Sequence, residues 1–359
     1  MKTILISGGG TAGHINPALS IASYLKKQNW DIHFIGNKNS LEERLVCEAG
    51  YQFHIINIQK LFRKFTFTHF KFPFKLISSI LKSSKVIRNI KPDLYLGTGG
   101  FVSGPAGFAA YIHRIPIFLQ EQNSFPGITT RILAKWAYLI FLGNQQAKKY
   151  LPANRTKYTG NPINPGFFQK PLPIDLNRLG LHPARKKIFL MGGSQGSLVL
   201  NNNLSPIIDN LLALGLDIIW QTGNYSYDKF QREFGNKTGI YLFSYTDNIT
   251  ALYEMSELVI ARAGAITLAE LEYLKMPAIL IPLPSAAENH QYYNACELAD
   301  KGEAEVIEQK NLTPALLLNI LISMLGNIEK YKARFSDSLH QYSAKNIADA
   351  IMEFYEEKD

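Results

Sequence analysis

Short apolar runs alternate along this chain with glycine-rich turns and with longer stretches in which apolar residues recur every three or four positions. The first cycle reads as a strand over Thr3–Ser7, a turn over Gly8–Gly13, an amphipathic helix over Pro17–Gln28 and a second strand over Asp31–Gly36. That spacing is the βαβ unit of a parallel sheet. The grammar returns at Lys187–Met191, Gly192–Gly196 and a helix over Leu198–Leu214, with a strand near Asp217–Gln221 behind it. A third instance runs from Leu94–Leu96 through Gly97–Gly100 into a helix across Ala106–Tyr111. Strands alternating with helices predict parallel sheets covered on both faces. Two restarts about 185 residues apart predict two doubly wound α/β domains. Between Thr159 and Lys187 stand Pro162, Pro165, Pro171, Pro173 and Pro183, a density that favours extended or turning backbone and marks the boundary. Open sheets of this kind bind ligands beyond the carboxyl ends of their strands, which makes the cleft between the domains the expected site.

Composition supports a globular reading and narrows the partners. Of 359 residues, 46% are hydrophobic and 19% charged, which excludes intrinsic disorder. Two cysteines, Cys47 and Cys296, cannot make a disulfide framework and suit a reducing compartment. The N-terminal apolar run is too short for a signal peptide, and no run reaches the length of a spanning helix, so a cytosolic protein is expected. The formal net charge is +9. Between Ala49 and Pro92 there are nine bases and no acid, and without that stretch 29 bases face 29 acids. The whole excess therefore belongs to one segment.

That segment interleaves its bases with Phe62, Phe65, Phe67, Phe70, Phe72 and Phe74. Over Lys75–Lys91, helical spacing places Leu76, Ile77, Ile80, Leu81, Ile87 and Ile90 on one face, with bases towards another. This is the composition of an interfacial membrane element, for which Arg63, Lys64, Lys71, Phe72, Phe74, Lys75 and Lys82 are the contact candidates. Two other readings share these residues: an apolar face that is ordinary core beneath a solvated basic surface, and a single-stranded nucleic-acid site. The membrane reading is preferred, and no nucleic acid is expected.

The glycine turns carry the candidate chemistry. Gly8, Gly10 and Gly13 match G-x-G-x-x-G between strand and helix, where free amides can bind an anion. The second strand ends at Gly36-Asn37-Lys38 without the acid a dinucleotide ribose needs, which argues against NAD. His14 follows at a helix start, where the dipole favours the neutral imidazole a general base requires; a capping role is the plainer alternative. The run Gly97–Gly100 implies close approach of backbone to a ligand or another loop. Gln120-Glu121-Gln122-Asn123 ends an apolar strand and reads either as sugar ligands or as a solvated loop. Gly192-Gly193-Ser194-Gln195-Gly196 is a second anion cradle, without the lysine of a P-loop. Arg262 to Glu270 starts a further helix whose amides, with Arg262, suit a diphosphate, and Glu270 could accept ribose hydroxyls. No metal-ligand spacing and no Asp-x-Asp occurs, so no metal and no cofactor are expected.

Taken in order, Gly8–His14, Gly99–Pro105, Glu121-Gln122-Asn123, Gly160-Asn161-Pro162, Gly192–Gly196, Gly264-Ala265-Ile266-Thr267 and Gln291-Tyr292-Tyr293-Asn294 resemble the MurG family across nearly the whole chain. The resemblance implies a GT-B fold, two Rossmann-like domains at 1–162 and 163–341, with residues 342–359 returning to the first. It implies an inverting hexosyltransferase that moves GlcNAc from UDP-GlcNAc to the C4 hydroxyl of lipid I, the polyprenyl-linked MurNAc-pentapeptide, to make lipid II for peptidoglycan. Another GT-B glycosyltransferase, a UDP-GlcNAc epimerase or a non-catalytic binding protein are the alternatives. Carried over by motif, Ser194 and Ala265, Ile266 and Thr267 hold the diphosphate with Leu268 and Ala269 in the same turn. Glu270 holds the ribose, the Thr246 backbone reads uracil, and Gln291 holds GlcNAc. Thr11, Ala12, Gly13 and Asn123 approach the sugar from the first domain. His14 is the leading candidate base and Glu121 the second. A peripheral place on the cytoplasmic face of the inner membrane is implied, with partners in the cell-wall and division machinery. Three positions depart from the family pattern: Gln120 where histidine is common, Asn164 where arginine is common, and His290 where glutamine is common.

Overall fold

The computed structural model describes residues 1–58, 68–169, 174–193, 195–246 and 248–356, and for 68–72 the backbone alone. The alternation of the sequence is realised as two units, Met1–Asn164 with Leu339–Asp359, and Pro165–Ser338.

In the first unit the chain runs β1 (Thr3–Ser7), α1 (Ala12–Lys27), β2 (Asp31–Asn37), α2 (Leu41–Glu48), β3 (Gln52–Ile56), α3 (Thr68–Ile90), β4 (Leu94–Gly97), α4 (Ser103–Ile112), β5 (Ile117–Glu121), α5 (Ile128–Leu133), β6 (Leu139–Leu142) and β7 (Thr156–Tyr158). The strands form one parallel sheet in the order β3-β2-β1-β4-β5-β6-β7. Strands β4 and β5 are buried along their whole length, as a parallel sheet covered on both faces demands. The C-terminal helix, His340–Glu356, belongs to this unit. Its Ile347, Ile351 and Phe354 enter the core with Ile15, Ala18 and Ile21 of α1, and Tyr355 Oη donates to Asp93 O at 2.7 Å.

Helix α3 corrects the sequence reading of the basic segment. Leu76, Ile80, Ile87 and Ile90 do pack against the core, beside Tyr95 and Val102. Ile77 and Leu81 do not share that face: they are 56% and 64% exposed, with Phe74 at 76%. Positions 74, 77 and 81 are spaced i, i+3 and i+7, one stripe of a helix, and Lys85 and Arg88 continue it. The apolar residues thus divide between a core face and an outward stripe. Of the membrane candidates, Lys82 is exposed and Lys75 half-buried on the same helix; Arg63 and Lys64 lie outside the described residues, as do the side chains of Lys71 and Phe72. Among the described residues no helix is long and apolar enough to cross a membrane.

The second unit contains β8 (Lys186–Met191), α6 (Leu198–Leu204), α7 (Ile208–Ala213), β9 (Leu216–Gln221), α8 (Asn224–Phe234), β10 (Ile240–Phe243), α9 (Ile249–Glu254), β11 (Leu258–Ala261), α10 (Ala265–Leu274), β12 (Ala278–Leu280), α11 (His290–Asp300), β13 (Ala304–Val306), α12 (Pro314–Gly326) and α13 (Ile328–Lys332). Its parallel sheet has the order β10-β9-β8-β11-β12-β13. The helix expected over Leu198–Leu214 is broken by a 3-10 turn at Ser205–Ile207, because Pro206 lacks the amide and crowds the preceding turn. In both sheets the order reverses beside the first strand, at β1/β4 and at β8/β11, and the glycine loops follow these strands. Such a switch point is where an open α/β sheet binds its ligand.

Candidate active site

At the switch point of the first unit, two glycine loops meet backbone to backbone. Gly100 has φ +80°, and a Cβ there would overlap Gly9 O, so no other residue fits. Thr98 Oγ1 donates to His14 O at 2.8 Å, which ties the β4 loop to the first turn of α1. His14 Nδ1 lies 3.0 Å from Gln122 Oε1. Burial pushes the His14 pKa below the ordinary 6.5, against Glu121, Gln122, Thr98 O and Glu42, which all pull it up. The imidazole is therefore neutral at neutral pH, the form that accepts a proton. Thr11, Ala12 and Gly13 form the turn just before it.

The first cradle already holds an anion of its own. Glu42, on α2 and 1% exposed, accepts from Gly10 N at 3.2 Å and from Asn37 N at 3.4 Å. One amide that a phosphate would use is thus satisfied internally. The end of β5 is not a solvated loop: Gln120, Glu121, Gln122 and Asn123 are all buried. Glu121 Oε1 accepts from Asn123 N and Nδ2 at 3.1 and 3.0 Å, and Oε2 accepts from Gly127 N at 3.1 Å. Its carboxylate shapes the 121–127 turn, with three amide hydrogens on it.

At the switch point of the second unit the loop after β8 packs on the loop after β9. A Cβ on Gly196 would overlap Thr222 O, and one on Gly223 would overlap Gln195 O. Ser194 lies outside the described residues. Helix α10 starts after Gly264, which makes no side-chain cap bond, and the helix has no acid in its first turn. The amides of Ala265, Ile266 and Thr267 accordingly suit an anion. Leu268 and Ala269 are buried beneath them. Glu270 is half-buried and accepts from Tyr253 Oη at 3.1 Å; burial pushes its carboxyl up to about 7. Gln291 Oε1 accepts from Leu283 N at 2.9 Å, which leaves its NH2 to donate to a sugar oxygen. Thr246 Oγ1 accepts from Asn248 N at 3.1 Å and so shapes the loop that its backbone would present to a base.

Arg262 departs from the sequence expectation. Its guanidinium is turned inward and donates to Ile281 O at 3.0 Å, Pro282 O at 3.3 Å, Ser197 Oγ at 2.9 Å and Gln309 Oε1 at 2.7 Å. Rather than reaching for a diphosphate, it braces the N-cap of α6 and the loop after β12. The planar fork that suits phosphate suits these carbonyls equally, and the sequence pattern does not distinguish them.

A model of the glycosyltransferase family 28 N-terminal domain matches residues 4–142, and one of the family 28 C-terminal domain matches residues 187–351. A protein of Clostridioides difficile named UDP-N-acetylglucosamine–N-acetylmuramyl-(pentapeptide) pyrophosphoryl-undecaprenol N-acetylglucosamine transferase is 35% identical over 340 residues, 92% of this chain and 82% of that one. A Lactococcus lactis protein of the same name is 34% identical, covering 94% of each. The crystal structure of Acinetobacter baumannii MurG superposes with a TM-score of 0.77 at 25% identity, over 98% of this chain and 100% of that one. The chain belongs to the MurG family. Its two Rossmann-like units are those of the GT-B fold.

Several pairings in this MurG-family chain that the motifs did not indicate organise the two switch points. Gln122 meets His14 from 108 positions away, and Glu42 meets Gly10 from 32 away. Ser197 and Gln309 meet Arg262 from 65 and 47 away. Each pairing joins elements far apart in the chain, so sequence periodicity carries no signal of it. Among the described residues no cluster of His, Cys, Asp or Glu could hold a metal ion.

Proposed function

We propose that this chain is an inverting glycosyltransferase that moves GlcNAc from UDP-GlcNAc to the C4 hydroxyl of the MurNAc-pentapeptide of lipid I, forming lipid II. The likeness to relatives of that printed activity, at 34–35% identity through both units, carries the reading. In the second unit the α10 amides with the Ser194 loop take the diphosphate, Glu270 the ribose, the Thr246 backbone the uracil and Gln291 the sugar. In the first unit His14 is the base, with Thr11, Ala12, Gly13 and Asn123 beside it. Glu121 is the weaker candidate because three amide hydrogens already lie on its carboxylate.

The chemistry is a single displacement. As the acceptor C4 oxygen bonds to C1 of GlcNAc, its proton passes to His14 Nε2, and the bond from C1 to the β-phosphate oxygen breaks. UDP departs with the electron pair, and helix-start amides stabilise the charge it gains. Attack opposite the leaving group inverts C1.

The outward stripe Phe74, Ile77 and Leu81, continued by Lys85 and Arg88, supports a peripheral site on an anionic membrane, where a polyprenyl acceptor resides. A cytoplasmic-face location and company with cell-wall and division proteins follow from the acceptor.

The test is UDP release from UDP-GlcNAc with and without a lipid I analogue. Acceptor-dependent release supports the reading. Release or epimerisation independent of acceptor sinks it in favour of a hydrolase or epimerase.

A further inference from the structure

Between the sheet and the first turn of α1 lies a buried row of side-chain amides whose direction is fixed by main-chain groups. Gln122 is 3% exposed, and its Nε2 donates to Thr98 O at 2.7 Å and also to Gln120 Oε1. A carbonyl oxygen can only accept, so the NH2 of Gln122 must face Thr98 O and its Oε1 must face His14. The opposite flip would press two acceptors together in a buried site and leave both unsatisfied. Gln120 is locked in the same sense: its Nε2 donates to Asn161 Oδ1 at 3.2 Å, while Asn161 Nδ2 donates to Gln122 O at 3.0 Å. Asn161 N in turn donates to His340 Nδ1 of the C-terminal helix at 2.8 Å.

We propose that Gln122 is the positioning residue of His14: its oxygen accepts the Nδ1 hydrogen, fixes that tautomer and leaves Nε2 as the bare, proton-accepting nitrogen. Gln120 serves one step further back, by holding the Gln122 amide in the required sense. A neutral imidazole with an amide oxygen at Nδ1 has a single arrangement that satisfies both groups. An amide orients the ring without adding a charge beside it, whereas a carboxylate there would raise its basicity and keep it protonated to higher pH. The charged groups that already face His14 are Glu121, at the end of β5, and Glu42, on α2. The catalytic part of the inference rests on the reading of His14 as the base; the tautomer part does not.

The experiment is ¹⁵N NMR of the full chain labelled in its histidine rings, with the His14 signals assigned by their loss in His14→Ala. The wild type is expected to show Nδ1 protonated and Nε2 bare; an Nε2-protonated ring overturns the proposal. Gln122→Met should give mixed tautomers and a kcat lowered at least about tenfold with KM for UDP-GlcNAc little changed, a wrong tautomer costing a serine protease up to about ten-thousandfold. Gln122→Glu should raise the His14 pKa and move the acid limb of the kcat profile to higher pH. An unchanged tautomer and unchanged profile in these variants overturn the proposal. If Gln122→Met does not fold, as read by loss of its melting transition, Gln120→Leu supplies the same comparison. Full turnover by His14→Ala overturns the base reading instead, and the wild-type spectrum still decides the tautomer.

Discussion

Replacement of Arg262 by methionine separates a bracket from a ligand. The substitution keeps an unbranched apolar stem and removes every donor. Ser197 Oγ and the Gln309 amide can turn to new partners, but the carbonyls of Ile281 and Pro282, both buried, cannot. A buried acceptor left unmet costs about 1–3 kcal/mol, so the pair costs roughly 4 kcal/mol. For a unit of this size, Pro165–Ser338, each kcal/mol lowers Tm by about 2–4 °C, giving a fall of about 8–16 °C. Calorimetry of the full chain reads the second unit's transition, and titration with UDP well below it reads the site. The bracket predicts a large fall in Tm with UDP affinity weakened about tenfold at most, since the α10 amides remain. Arg262→Lys should fall between, keeping the charge but not the fork. An unchanged transition together with loss of UDP binding would return Arg262 to the diphosphate.

Three further outcomes follow from the same geometry. His14→Ala should lower kcat by about a hundredfold to ten-thousandfold, the usual contribution of a general base, and leave the Kd for UDP unchanged; because burial holds the ring neutral, the acid limb of kcat/KM should fall below pH 6.5, and a limb above it would contradict the burial argument. Burial pushes the Glu270 carboxyl up to about 7, and two ribose hydroxyls donating to it would favour the ionised form, so UDP binding near pH 7 should release protons; calorimetry in buffers of different ionisation heat should show that release reduced in Glu270→Gln. Ile77→Glu with Leu81→Glu should weaken sedimentation with anionic vesicles without a change in Tm, and salt should release the wild type; equal binding of the wild type to neutral vesicles would show that the bases do not hold the protein to the membrane.

The sequence makes the architecture legible because each structural cycle leaves a local mark. An apolar run such as Lys187–Met191, glycines where φ is positive, and an amphipathic helix are all contiguous, so the sheets and both switch-point loops can be read from them. Pro206 also leaves a mark, and its break in the Leu198–Leu214 helix follows from proline chemistry alone. Helix α3 shows the limit of periodicity. The apolar spacing of 74–90 permits either one wide face or two narrow ones, and only the packing of Leu76, Ile80 and Ile87 on the sheet decides that Ile77 and Leu81 point away. The site divides in the same way. His14 and the α10 start stand out because a histidine after glycines and a glycine before a helix are local. The pairing of Gln122 with His14, the pairing of Glu42 with Gly10 and the inward turn of Arg262 are invisible in sequence, since each is defined by a partner on another strand's loop. The buried Gln120–Asn123 run resembles a solvated turn in composition; what buries it is that every member finds a partner within the fold.

The proposed reaction makes one bond, from C1 of GlcNAc to the C4 oxygen of lipid-linked MurNAc, with inversion. Its most direct test is to incubate the full chain with UDP-GlcNAc and a lipid I analogue, isolate the lipid product and determine its linkage by NMR. A β(1→4)-linked disaccharide formed in equal amount to UDP is the predicted result. A product with retained α configuration, a linkage to another hydroxyl, or UDP released with the lipid unchanged would rule this reaction out.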